Sequence, residues 1–223
     1  MTVREALWAE CERLSTVLAG LVEADFDRPT GCPPWNVAEL LAHVRTTLGR
    51  LPVMLGQPAP PRAEVDAAGY YGPAKFTPAV DAARVDGARR EAGEVASGRE
   101  LAEDFTRTWR SVRAALATEA PDRVVRTRHG DPMLLDEFLV TRVVEVGVHG
   151  LDLAAALDRP PWLTEPAARV VADLLLGGNP LGTDAPLGWD RLTFIRKATG
   201  RLPLSDAERA EIDRAGLRWL SFG

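Results

Sequence analysis

The sequence predicts an all-α protein, a four-helix bundle followed by a short helical C-terminal extension. Three observations carry that expectation. Apolar residues recur at helical spacing through several long segments. No strand-like alternation is sustained anywhere. One stretch, VTRVVEVGVHGLD at 140–152, is apolar around almost its whole circumference, as a helix buried among others is.

Taken in order, residues 2–24 carry Leu7, Cys11, Leu14, Leu18, Leu21 and Val22 at helical spacing, with Arg4, Glu12, Arg13 and Glu23 elsewhere on the wheel. DFDRPTGCPP, 25–34, reads as a loop from its proline and glycine content. A second helix is expected over Trp35 to Leu55, opened by an Asn36/Glu39 capping box and striped by Val37, Leu40, Leu41, Val44, Leu48, Leu51 and Leu55. Residues 56–78, with both tyrosines, Tyr70 and Tyr71, read as a long irregular connection able to wall or cover a site. The charged, Ala-rich region 79–119 is helical, its apolar face made by Val95, Leu101, Phe105, Trp109, Val112 and Leu116. SGRE at 97–100 either breaks it or starts its better-packed half. A connector at 120–132, with room for a short extended piece, leads to the organising helix, about Met133 to Leu157.

Beyond DRPPW come three shorter helical signals: Thr164 to Leu176, Trp189 to Ala198 with Gly200 behind it, and Ser205 to Ala215 with a Ser205/Glu208 capping box. Residues 1–160 are thus expected to form the bundle and 161–223 an extension packed on it.

Bulk properties narrow the function. The chain has 223 residues, enough for one sizeable core, and its 46% hydrophobic and 26% charged residues are ordinary for a globular protein. A net charge of −5 argues against a nucleic-acid partner, which selects for a basic surplus. No apolar run is long enough to span a bilayer, and MTVREALWAECERL lacks a signal-peptide core. Two cysteines, Cys11 and Cys32, make no disulfide framework. The expectation is a cytoplasmic enzyme or binding protein, monomeric or homodimeric.

The chemistry concentrates on the organising helix. Glu137, Thr141, Glu145, His149 and Asp152 form one polar line down it, at steps that keep them within an arc of roughly 120°. Glu145 and His149 are one turn apart on the same face. A carboxylate and an imidazole on a buried helix must be paired, hydrogen-bonded or bound to a metal. His43 lies roughly 110° from the centre of its own helix's apolar stripe, within reach of a groove between helices. His43, Glu145 and His149 are therefore candidate ligands of a divalent ion such as zinc, leaving a coordination position open. The same side chains would also serve as a buried ion pair and a satisfied helix histidine. Asp152 is either the partner that fixes an imidazole or a charge near the helix end. His129, beside Gly130 in a polar connector, reads as an exposed loop residue. Cys32, near a helix start, is a packing residue or a nucleophile. Trp35 belongs to pocket or core. Arg142 clamps a substrate carboxylate or pairs with a neighbouring acid. The Trp162 and Trp189 regions lie either over the site or away from it.

The segment RPTGCPPWNVAELLAHV, 28–44, closely resembles the P-x-x-C-P-x-W-T-V-x-D-L-L-A-H-L segment of the mycothiol-dependent maleylpyruvate isomerase family, a branch of the DinB-like metal-binding four-helix bundles. RVVEVGVHGLDLAAAL, 142–157, resembles the same family's R-x-x-E-x-x-x-H-x-x-D-L helix. The resemblance implies a divalent metal, usually zinc, held by His43, Glu145 and His149, and mycothiol as cosubstrate. Many members carry a further C-terminal α/β domain, whereas the tail here reads helical. Asn36 stands where the family often has Thr.

The expected activity is that of a thiol S-transferase or a cis–trans isomerase, in which a low-molecular-weight thiol attacks an electrophilic small molecule. Alternatives are a metal-dependent hydrolase, lyase or isomerase without a thiol, and a non-catalytic DinB-like metal-binding protein.

Overall fold

The computed structural model describes residues 1–72, 77–177, 187–216 and 219–220. Its first helix, α1 (Val3–Leu18), opens with a capping box: Thr2 Oγ1 accepts from the Glu5 amide at 3.2 Å, and Glu5 accepts from the Thr2 amide at 2.7 Å. It buries Leu7, Cys11, Leu14 and Leu18. A single turn, α2 (Glu23–Phe26), follows.

The expected second helix is divided. α3 (Val37–Gly49) starts at Asn36, which accepts from the Glu39 amide at 2.8 Å, and stops at Arg50. α4 (Leu51–Leu55) restarts with Pro52 in its first turn. Pro52 has no amide hydrogen to continue the α3 ladder, so the break falls where the sequence places the proline. The connection after it is less irregular than expected. It includes the turn α5 (Ala67–Tyr70), and Pro132 O accepts from the Glu64 and Val65 amides at 2.9 and 3.2 Å. Residues 73–76 of that connection lie outside the described residues.

The Ala-rich region is two helices, α6 (Pro78–Gly93) and α7 (Gly98–Leu116). Ser97 caps α7 by accepting from the Glu100 amide at 3.1 Å, so SGRE starts the better-packed half. Gly98 is required there: a Cβ on it would stand 2.2 Å from Phe26 Cγ. The short extended piece in the next connector is a hairpin of β1 (Val124–Arg126) and β2 (Pro132–Leu134), antiparallel with Val125 opposite Met133.

α8 (Leu135–Ala156) is the longest helix among the described residues, and most of it is buried, including Thr141, Arg142 and Asp152. α1, α3, α7 and α8 form the bundle: α1 packs on α7 and α8, and α3 packs on the same two helices from the other side. α6 lies outside, against α3.

The extension supplies α9 (Glu165–Leu175), α10 (Arg191–Ala198) and α11 (Asp206–Ala215), opened by Thr164, Asp190 and Ser205 as caps. α9 packs on α1 and α8, and α10 packs on α9. Residues 178–186, 217–218 and 221–223 of the extension lie outside the described residues. The docking of α9 is fixed by Glu10, which is fully buried on α1 and accepts from the Thr164 amide at 2.9 Å and its hydroxyl at 2.7 Å. Trp162 fills the space beside Gly150, whose absent Cβ would stand 3.2 Å from the indole nitrogen. No helix among the described residues is long and apolar enough to cross a membrane.

Candidate functional site

The site lies between α3 and α8. His43 extends from the flank of the α3 core stripe, and Glu145 and His149 extend from one face of α8, one turn apart. Their polar atoms converge. His43 Nε2 is 3.2 Å from Glu145 Oε2, and His149 Nε2 is 3.5 Å from the same oxygen. The three could hold one metal ion, since their ligand atoms all lie within 4.8 Å of one another. The imidazole rings are nearly perpendicular, with centroids 5.3 Å apart.

A second layer fixes these groups. Asp152, one turn beyond His149, is buried and accepts from His149 Nδ1 at 3.0 Å. That hydrogen bond puts a proton on Nδ1 and turns Nε2 toward Glu145. Asp152 also accepts from Arg201 Nε at 2.9 Å, Arg201 Nη2 at 2.7 Å and Cys32 Sγ at 3.1 Å. Arg201 follows α10, so the extension reaches the site through this carboxylate. Trp35 covers the other histidine: its ring stacks on His43 at 4.8 Å between centroids, tilted by 27°. The loop bearing it is folded tightly, with Thr30 donating to Trp35 O from both amide (3.1 Å) and hydroxyl (2.8 Å).

Electrostatics follow from burial and these partners. Burial pushes His43 down to about 4, with Glu145 only partly offsetting it, so the ring is neutral at pH 7 and able to ligate. Burial alone would raise Glu145, but hydrogen bonds from His149 and His43 and the charge of Arg142 hold it well below the usual carboxylate range. Burial alone would lower His149, and its bonds to Asp152, Cys32 and Glu145 outweigh that and raise it.

The site opens into a cavity of about 210 Å³ whose lining is rich in arginine: Arg50, Arg84, Arg128, Arg142 and Arg201. Arg142 is the most buried. It donates to Thr141 Oγ1 at 3.1 Å and Thr47 O at 3.2 Å, lies 3.6 Å from Glu145 Oε1 and stacks over Phe138 at 4.6 Å. Its Nη2 and the indole nitrogen of buried Trp35 have no hydrogen-bond acceptor among the described residues. Tyr70 and Tyr71 line the cavity, so the connection walls it as the sequence suggests.

Several sequence readings resolve here. Trp35 is both core and pocket wall. Cys32 is half-buried and donates to Asp152. Trp162 and Trp189 do not line the cavity: Trp162 packs against α8, and Trp189 donates to Glu208 at 3.1 Å beneath Lys197. His129 is exposed in the hairpin turn yet borders the cavity beside Tyr70. Arg50, Arg84, Arg128 and Arg201 escape sequence reasoning because they come from four separate segments with no shared spacing.

Comparison with known proteins places the chain. The family model described as the mycothiol maleylpyruvate isomerase N-terminal domain matches residues 7–154, which include His43, Glu145 and His149 but not Arg201. No curated protein sequence matches significantly. Among solved structures, a mycothiol-dependent maleylpyruvate isomerase shares the fold at a TM-score of 0.52 and 16% identity, over 79% of this chain and 71% of that one. A variant of the mycothiol-dependent maleylpyruvate isomerase with one histidine replaced by alanine gives 0.54 and 17% over the same shares.

Proposed function

Because the chain belongs to the mycothiol maleylpyruvate isomerase N-terminal domain family, we propose that it is an isomerase or S-transferase that uses a divalent metal and a low-molecular-weight thiol, mycothiol by family. The observation that carries this reading is the convergence of His43 Nε2 and His149 Nε2 on one carboxylate oxygen of Glu145 at the floor of a cationic cavity.

The donor set fits a metal. Two imidazoles and a carboxylate suit zinc and related ions, the rings are turned with nitrogens inward, and Asp152 supplies the acceptor that metal-bound histidines usually have behind them. When bound, such an ion supplies a Lewis acid that keeps a thiol as thiolate at neutral pH. His43, Glu145 and His149 would hold it, and Trp35 covers one face of His43. The cosubstrate sulfur attacks an electrophilic carbon of the second substrate. If the new C–S bond is kept, the product is a thioether and the proton lost from sulfur ends on the adjacent carbon. If the adduct rotates and expels the thiol, the product is a geometric isomer and the thiol is regenerated.

The chain's own contribution to the second substrate is charge. Five arginines line the cavity and Glu145 is the one carboxylate among the described lining residues, so an anionic electrophile is favoured there. Trp35 Nε1 is a buried donor with no acceptor among the described residues, and Arg142 Nη2 makes no hydrogen bond there beyond its ion pair with Glu145 at 3.6 Å.

The test is conversion of maleylpyruvate or a generic unsaturated acid by the zinc-loaded protein with and without the thiol, thioether formation and geometric isomerisation being followed separately. Turnover should require the thiol and fall at least about 100-fold in His43→Ala, whose fold is checked by circular dichroism. Full activity without thiol, or in His43→Ala, would sink the proposal.

A further inference from the structure

A second, larger depression adjoins the cavity. It has a volume of about 740 Å³ and is lined by Val53 and Met54 of α4, by Pro58, Ala59, Pro60 and Pro61, and by Arg50, Arg126 and Arg128. Arg50 and Arg128 line both spaces and stand between them. The cavity alone holds only a small acid, while the groove falls within the usual range for small-molecule sites.

Three features of the groove point to a ligand. It is apolar where it leaves the arginines, and Val53 is 67% exposed on its wall. No carboxylate lines it among the described residues, so Arg50 and Arg128 face no acid there. Burial and the charges of Arg128 and Arg142 lower Arg50, with Tyr70 and Glu91 only partly offsetting them. The wall is also built in advance. Three prolines within residues 58–61 restrict its backbone, Arg123 donates to the Leu55 and Gln57 carbonyls at one end, and Pro132 O holds Glu64 and Val65 at the other. A rigid wall loses little entropy when a ligand arrives.

We propose that the second substrate is an amphiphilic carboxylic acid whose anionic, reactive end enters the cavity past Arg50 and Arg128 and whose apolar tail lies along the Val53–Met54–proline groove. This rests on the proposed function only in taking the cavity as the reacting end. The polar sugars of a thiol such as mycothiol suit this lining poorly.

The probe is a series of saturated, unreactive acids: butanoate, hexanoate, octanoate and decanoate, titrated by calorimetry into the zinc-loaded protein. Direct ligation of the carboxylate to the metal is common to the series and cancels in the slope. Affinity should rise about two- to fourfold per added methylene. In Val53→Asp and Ala59→Asp, both at exposed positions, the slope should fall below about 1.5-fold, with thermal melts confirming folding. A flat series in the wild type would overturn the proposal. So would an undiminished slope in both variants, or variants whose only change is a higher KM for the thiol, which would give the groove to the cosubstrate. Because the binding slope needs neither thiol nor turnover, its failure is distinct from failure of the thiol chemistry.

Discussion

Asp152 is the residue on which the site's geometry turns. It is buried at the end of the polar line on α8 and accepts from His149, Cys32 and Arg201 at once. Without its charge, His149 is free to change tautomer and the ring loses its orientation. Asp152→Asn should lower zinc affinity by about 10- to 100-fold, read by competition with a chromophoric chelator. An unchanged affinity would make Asp152 a pairing partner for Arg201 alone. The sequence exposes part of this pattern, because the steps of four and three from Glu145 to Asp152 put the three side chains on one face. It hides the rest. Cys32 is 120 positions from Asp152 and Arg201 is 49, and no periodicity links them.

Helices were legible where a cap and an apolar stripe coincide. Asn36/Glu39, Ser97, Thr164 and Ser205/Glu208 all cap helices at positions readable from residue type. The break between α3 and α4 was missed because the stripe runs on through Leu51 and Leu55, while Pro52 removes the amide the ladder needs. The junction of α7 makes its own demand. Gly98→Ala would drive a Cβ against the Phe26 ring and should destabilise the fold by about 1–3 kcal/mol in urea unfolding. A change within about 0.3 kcal/mol would mean that α2 yields freely. The contact between α1 and α9 is pH-sensitive. Burial raises the Glu10 carboxyl, with the Thr164 bonds only partly offsetting it. The folded state therefore holds this proton to higher pH than the unfolded chain does. Its contribution is fully present below the unfolded carboxylate range and is lost as pH rises through the folded value. Comparing wild type with Glu10→Gln, the difference in unfolding free energy should move in favour of wild type from about pH 7 to about pH 4.5. A difference independent of pH would mean that Glu10 titrates alike in both states.

For the whole molecule, the bundle brings two distant segments to one point, and the extension adds Arg201 from beyond the family-matched residues 7–154. The fold class followed from patterning because each bundle helix carries its own buried stripe. The candidate triad was readable because two of its members share a helix face and the third stands beside a strong motif. The cationic cavity and its apolar annex were not, since they arise where α3, α4, α6, α8, the hairpin and the extension converge. The central claim is that His43, Glu145 and His149 hold one divalent ion that keeps room for a thiol. It is tested most directly by loading the protein with cobalt(II) and adding mycothiol while recording the near-ultraviolet spectrum. The account predicts one cobalt per chain and a sulfur-to-cobalt charge-transfer band that saturates with thiol and is absent in His43→Ala. Failure to bind cobalt, or a thiol-dependent band that persists unchanged in that variant, would contradict it.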